Sequence, residues 1–156
     1  MSLQNFSWVI PGKLAGSDLP GADGDSLFED IRFLADEGIR VLLSLEQPPG
    51  PIEKICRQAG IAWLNFPVAD FGIPDDSTLF NDIVKECISS LNGGMPVCVH
   101  CRAGIGRTGM ALACIMGVYL GIGAAKAIAA VKVARPAVET QEQRMFITTF
   151  LEHYES

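Results

Sequence analysis

Residues 99–109 read VHCRAGIGRTG, with three glycines and two arginines set between two apolar runs, MPVCV before and MALACIMGVYL after. That order predicts a buried strand, a glycine-rich loop and a buried helix beginning near Arg107. No other stretch limits the fold so sharply. A helix that starts inside such a loop turns its first backbone N–H groups toward one point, and its terminus carries partial positive charge.

The rest of the chain supplies the layers around that unit. RVLLSL (40–45), IAWLNF (61–66) and PVCVH (96–100) are short apolar runs bounded by Gly or Pro, which predicts strands buried on both faces, of the parallel-sheet kind. SWVI and KLAG suit an edge hairpin turning at Pro11-Gly12. Between them lie helical patterns at 26–38, 77–94, 107–121, 123–136 and 138–154. In the second, Leu79, Phe80, Ile83, Val84, Cys87, Ile88 and Leu91 recur on one face, Asp76 or Ser77 can cap the start, and Gly93 can end it. The helix at 123–136 stops at Pro136. Strands alternating with helices predict an α/β fold: one domain over residues 1–156, a central mostly parallel sheet and helices on its faces. At 156 residues and 49% hydrophobic content the chain fits one core and is too short for two.

Several function classes are disfavoured. No window reaches the roughly 18 apolar residues of a membrane span, and MSLQNFSWVI lacks the basic and apolar regions of a secretion signal. The expectation is a soluble, cytoplasmic protein. Five cysteines at 56, 87, 98, 101 and 114 form an odd, scattered set, three of them in strongly apolar surroundings, which suits reduced thiols better than a disulfide framework. With a net charge of -6 and no Lys/Arg run, nucleic acid and anionic membranes are not expected partners, and a monomer is expected. An anion would need local positive potential, and Arg102 and Arg107 offer it.

The loop's chemistry follows from its residue types. Gly104 and Gly106 permit backbone conformations that let consecutive amides of residues Arg102, Ala103, Gly104, Ile105, Gly106 and Arg107 converge on an anion. Arg107, six residues after Cys101, can grip two oxygens with its planar fork. The same field favours a thiolate at Cys101. A nucleophile and a tetrahedral-anion seat in one loop are what phosphoryl transfer through a cysteinyl phosphate needs. His100 reads as structural, fixing the loop by hydrogen bonds and helping to hold the thiolate's surroundings. Arg102 is either a solvent-facing charge or a contact for an acidic substrate feature.

Other readings of these residues exist. CVHC is also C-x-x-C, but Cys98 should point into the core from the strand. A zinc site would need a second ligand pair, and the only other histidine is His153. No metal and no cofactor are therefore expected. A leaving oxygen needs a proton, and Asp70, Asp75 and Asp76 follow the strand at 61–66. Asp75 and Asp76 immediately precede a helix, where capping explains them. Asp70 lies earlier, in ADFGIPD, with no capping job, and its plainer reading is a solvated loop charge.

Cys101–Arg107 is the C-x5-R signature of the protein tyrosine phosphatase superfamily, and HCRAGIGRTG is its fuller form. With NFSWVIPGKLAGSDLP, VADFGIP and RPAVETQEQ, nearly the whole chain resembles the small atypical dual-specificity phosphatases of the VH1-like type. The resemblance implies the cysteine-phosphatase fold and metal-free hydrolysis of phosphate monoesters on protein tyrosine and serine or threonine. It implies that DFGIP is the general-acid loop, with Asp70 the acid, and that Thr108 donates to the Cys101 sulfur. Other tyrosine phosphatases place a water-positioning glutamine where this chain has Glu139, with Gln143 one turn on; either could orient water, and a helix-capping role for Glu139 is equally natural. LACIM in place of AYLM, and Thr108 in place of Ser, are departures toward a divergent branch. Three rivals share parts of the pattern. A phosphoinositide phosphatase uses the same signature but commonly carries loop lysines, where this chain has Ile105 and only Arg102. A non-catalytic phosphate-binding module would not need Cys101, Arg107 and Asp70 together, and a rhodanese-like sulfurtransferase resembles the sequence less.

Overall fold

The computed structural model describes residues 1–154, and its architecture follows from the alternation of apolar segments. In chain order the strands are β1 (Ser7–Ile10), β2 (Leu14–Ser17), β3 (Val41–Ser44), β4 (Ala62–Asn65) and β5 (Val97–His100). The helices are α1 (Leu27–Asp36), α2 (Ile52–Gln58), α3 (Ser77–Asn92), α4 (Gly106–Leu120), α5 (Ala124–Ala134) and α6 (Gln141–His153). They build one α/β domain around a five-stranded sheet in the order β1-β2-β5-β3-β4. Only β1 and β2 pair antiparallel; every other neighbour is parallel. The expected hairpin turns at Pro11-Gly12, where Gly12 takes φ 72° and the Lys13 amide donates to the Ile10 carbonyl at 2.9 Å.

Successive strand residues point to opposite sheet faces, and the core divides accordingly. Val41 and Leu43 of β3 and Val97 and Val99 of β5 pack with α3, α4, α5 and α6. Leu42, Cys98 and Ala15 face α1 and α2 with Ile31, Leu34, Ile52 and Cys56. Cys98 thus points into the core, as its strand position predicts. α4 is buried from Gly106 through Gly117, which is why its sequence is apolar all round rather than striped. Among the described residues, no single helix is long and apolar enough to cross a membrane.

Three features differ from the sequence expectations. β4 is an edge strand with Ala62 and Asn65 exposed, not a strand buried on both faces, because it has a partner on one side only. α2 was not legible at all. At the last helix the cap is Thr140, not Glu139: the Thr140 side chain accepts from the Gln143 amide while the Gln143 side chain returns to the Thr140 amide. At α3 the cap is Asp76, whose carboxylate accepts from the Thr78 and Leu79 amides, and Gly93 closes the other end.

Candidate active site

The loop from β5 to α4 is shaped by what holds its carbonyls. The Cys101 carbonyl accepts from His100 Nδ1 at 2.9 Å, that of Arg102 from the Leu19 amide at 2.9 Å, and that of Ala103 from Asn5 Nδ2 at 2.9 Å. The Gly104 carbonyl accepts from Arg135 at 2.7 Å, and that of Ile105 from the Gly109 and Val138 amides at 2.9 and 3.3 Å. Five successive carbonyls are therefore drawn outward by donors outside the loop. In a planar trans peptide the N–H points opposite to the C=O, so the amides of residues 102–106 face the loop's centre. Gly104 allows this path: at φ 78° it brings its backbone so close to β2 that a Cβ would sit 2.6 Å from the Ser17 carbonyl oxygen.

Cys101 stands at the foot of this ring, 2% exposed, and its sulfur accepts the Thr108 hydroxyl at 3.0 Å. The N-terminus of α4 adds its partial positive charge. The neighbouring His100 is fully buried, and burial presses its pKa down to about 4, so it is neutral at ordinary pH.

Arg107, 3% exposed, is anchored from behind. One terminal nitrogen donates to the Val68 carbonyl at 2.8 Å; the other meets Glu46 Oε1 at 3.0 Å and Asp70 Oδ1 at 3.3 Å. Its Nε is buried without a protein partner among the described residues. Glu46 also pairs with the exposed guanidinium of Arg102, so one carboxylate bridges both loop arginines. Arg102 thus faces solvent while tethered to Glu46, a placement that fits both of its readings. A third arginine, Arg135, reaches the Gly104 carbonyl and also donates to Ser7 Oγ at 3.0 Å and to the Asn5 carbonyl at 2.9 Å.

Asp70 lies in a turn closed by the Gly72 amide on the Ala69 carbonyl, at 2.8 Å. Phe71 occupies the turn's third position at φ 61°, which strains a non-glycine residue. The other such residue among those described is Val138, next to Glu139. The Glu139 carboxylate lies over Gly106, with Cδ 3.1 Å from where a Cβ on that glycine would sit. The Gln143 amide is committed: its oxygen accepts from the Glu139 and Thr140 amides at 2.9 and 3.3 Å, and its nitrogen donates to the Gly72 carbonyl at 3.3 Å. Cys101, Arg102, Arg107, Thr108, Asp70 and Glu139 thus meet around one loop, while Asp76 belongs to its helix cap. Sequence reasoning missed Glu46, Arg135 and Asn5; the arginine-rich loop hinted at a counter-charge but not at where it lies in the chain.

A family model described as "Polymorphic toxin system, DSP-PTPase phosphatase" matches residues 15–121. The chain is 29% identical over 160 residues to protein tyrosine phosphatase domain-containing protein 1 of Bos taurus, covering 92% of this chain and 20% of that protein. It is 26% identical over 153 residues to tyrosine-protein phosphatase cdc-14 of Caenorhabditis elegans, covering 92% of this chain and 21% of the relative. It spans about a fifth of the length of both. Among solved structures, the active form of Tk-PTP superposes with a TM-score of 0.82 at 24% identity, over 97% of this chain and 98% of that one. PTPMT1 does so at 0.82 and 20%, over 96% and 95%. These structural similarities carry the fold, and the sequence match carries the family: the chain belongs to the DSP-PTPase phosphatases.

Proposed function

We propose that this domain hydrolyses phosphate monoesters of a phosphorylated protein or peptide, phosphotyrosine first and phosphoserine or phosphothreonine as further substrates, through a cysteinyl-phosphate intermediate. One observation carries the reading: the Cys101 sulfur accepts a hydroxyl hydrogen bond from Thr108, at 3.0 Å, at the foot of a ring of inward amides. A sulfur so held is placed to act as the nucleophile.

In this reading the Cys101 thiolate attacks phosphorus, and a sulfur–phosphorus bond forms as the ester phosphorus–oxygen bond breaks. The amides of residues 102–107 and the Arg107 guanidinium hold the equatorial oxygens, whose charge they match in the transition state. Asp70 gives its proton to the leaving oxygen. Water, oriented by the Glu139 carboxylate over Gly106, then attacks phosphorus and yields a proton to Asp70. Inorganic phosphate leaves, and Thr108 supports the departing Cys101 thiolate. His100 keeps the loop in shape, and Gln143 acts through Gly72 and Glu139 rather than on water itself.

The decisive experiment is turnover of an aryl phosphate and a phosphopeptide panel. Cys101→Ser is expected to abolish turnover while still binding phosphate, and a variant that turns over removes the nucleophile assignment. Asp70→Ala should lower kcat by about 10²- to 10⁴-fold. An Asp70→Ala protein of near wild-type rate, beside an inactive Asp75→Ala protein, would move the acid to Asp75. A phosphoinositide substrate is the second reading, favoured by the similarity to PTPMT1 in complex with PI(5)P, at TM-score 0.81 and 17% identity. Phosphoinositides in the same panel separate the two.

A further inference from the structure

The hydrogen bond that aims the first loop amide does not end at His100. On the sheet face turned toward α1 and α2, Ser44 of β3 lies beside His100 of β5 in the parallel register, and Trp63 of β4 stands one strand further out. Trp63 Nε1 lies 2.8 Å from Ser44 Oγ, Ser44 Oγ 2.5 Å from His100 Nε2, and His100 Nδ1 2.9 Å from the Cys101 carbonyl oxygen. The row crosses three strands and ends on the nucleophile's own peptide.

The directions along this row are fixed by its ends. An indole N–H only donates and a carbonyl oxygen only accepts. Ser44 Oγ must therefore accept from Trp63, and its single hydrogen is left for His100 Nε2. Nε2 then accepts, so the ring proton sits on Nδ1 and goes to the Cys101 carbonyl. One neutral tautomer satisfies every group; the other leaves Nδ1 facing a carbonyl with no proton between them. Burial, which keeps His100 neutral, leaves no doubly protonated escape. Because the Cys101–Arg102 peptide is planar and trans, pulling its carbonyl toward His100 turns the Arg102 N–H into the ring.

We propose that Trp63 and Ser44 are positioning residues of the phosphatase site: a one-way hydrogen-bond relay from the sheet's edge strand locks the His100 tautomer and thereby sets the Arg102 amide that binds the phosphoryl oxygens. The proposal rests on the phosphatase reading of the loop. Trp63 is half-buried on an edge strand, so replacing its ring with a smaller aromatic removes the N–H without opening the core. A purely structural Trp63 would affect stability, but not which ring nitrogen of His100 carries the proton.

The experiment uses the full chain with uniformly nitrogen-15-labelled histidine, comparing wild type with Trp63→Phe and Ser44→Ala at neutral pH. The sequence holds two histidines, so a His153→Asn variant assigns the ring signals. Long-range proton–nitrogen correlations report the tautomer, and titration with orthovanadate reports the oxyanion seat without turnover. Wild type is expected to show the Nδ1–H form alone. Trp63→Phe should mix the tautomers and weaken vanadate binding by about 3- to 10-fold, the order of one lost neutral hydrogen bond. Its kcat/KM should fall in step, and Ser44→Ala should do at least as much. A Trp63→Phe protein that keeps the wild-type nitrogen pattern, or that binds vanadate as wild type does, overturns the proposal. Failure of the phosphatase reading looks different: wild type itself would neither bind vanadate nor release phosphate, whatever its tautomer.

Discussion

At the scale of single residues, the five thiols divide by their surroundings. Burial in apolar core pushes Cys56, Cys87 and Cys98 up to about 12, and raises Cys114 as well. Such thiols carry almost no thiolate near neutrality, and alkylation requires the thiolate. Cys101 has instead a hydroxyl donor, a helix N-terminus and inward amides around its sulfur. Iodoacetamide at pH 7 should therefore add a single label to the native protein, at Cys101, and excess phosphate should slow it. Peptide mass spectrometry reads the site; labelling of Cys56 at a comparable rate would contradict this ordering. The residues of this environment were legible where chemistry is local: Cys101, Arg107 and Thr108 lie within eight positions of one another. Glu46 was not. It is an unexceptional acid two residues beyond a strand, and only the parallel pairing of β3 with β5 brings it to Arg107, 61 positions away.

At the scale of elements, the site depends on how closely α4 meets the segment before α6. A Cβ on Gly109 would lie 2.8 Å from Ala137 Cα and from the Val138 amide nitrogen, contacts that only backbone movement relieves. That segment holds Val138 in its strained conformation and carries Glu139 over Gly106. Gly109→Ala is expected to cost about 1–3 kcal/mol, the range for overpacking, seen as a lower urea midpoint at unchanged slope. Since the shift moves Glu139, hydrolysis of the phosphocysteine should slow more than its formation, giving a larger burst of released aryl alcohol in rapid-quench measurements. A variant of wild-type midpoint would mean that the helix and segment have slack between them. Elements this tightly coupled still announce themselves in sequence when they are long. α3 repeats its apolar face over 16 residues, and α4 is apolar throughout. α2 has seven residues and buries two of them, Ile52 and Cys56, which is one turn of periodicity between a Pro-rich stretch and Gly60. The edge position of β4 is likewise invisible, because strand order is a property of the sheet and IAWLNF is apolar enough for a central strand.

For the whole molecule, the cost of burying an uncharged imidazole should appear in the pH dependence of stability. His100 sits between β3 and its own loop with no exposed surface, facing Ser44, the Cys101 carbonyl, Glu46 and Arg107. Its pKa is about 4 in the fold against 6.5 when exposed, because burial disfavours the charged ring more than the Cys101 carbonyl and Glu46 favour it. The unfolded chain therefore takes up a proton below pH 6.5 that the folded protein refuses until about pH 4. Where the unfolded state binds more protons, stability rises with pH. The contribution of His100 is complete above pH 6.5 and drains away as pH falls toward 4, by about 3 kcal/mol in all. The carboxylates titrate over part of the same range, so the test is a difference. His100→Asn keeps a donor for the Cys101 carbonyl and removes the titration. Urea unfolding of both proteins at pH 7, 6, 5 and 4 should show wild type losing stability more steeply than the variant, with the two curves converging toward the acid end. Parallel curves would mean that His100 takes up its proton at the same pH in the folded protein as in the unfolded chain; below that pH both ring nitrogens would donate, and the relay from Trp63 would lose its single direction.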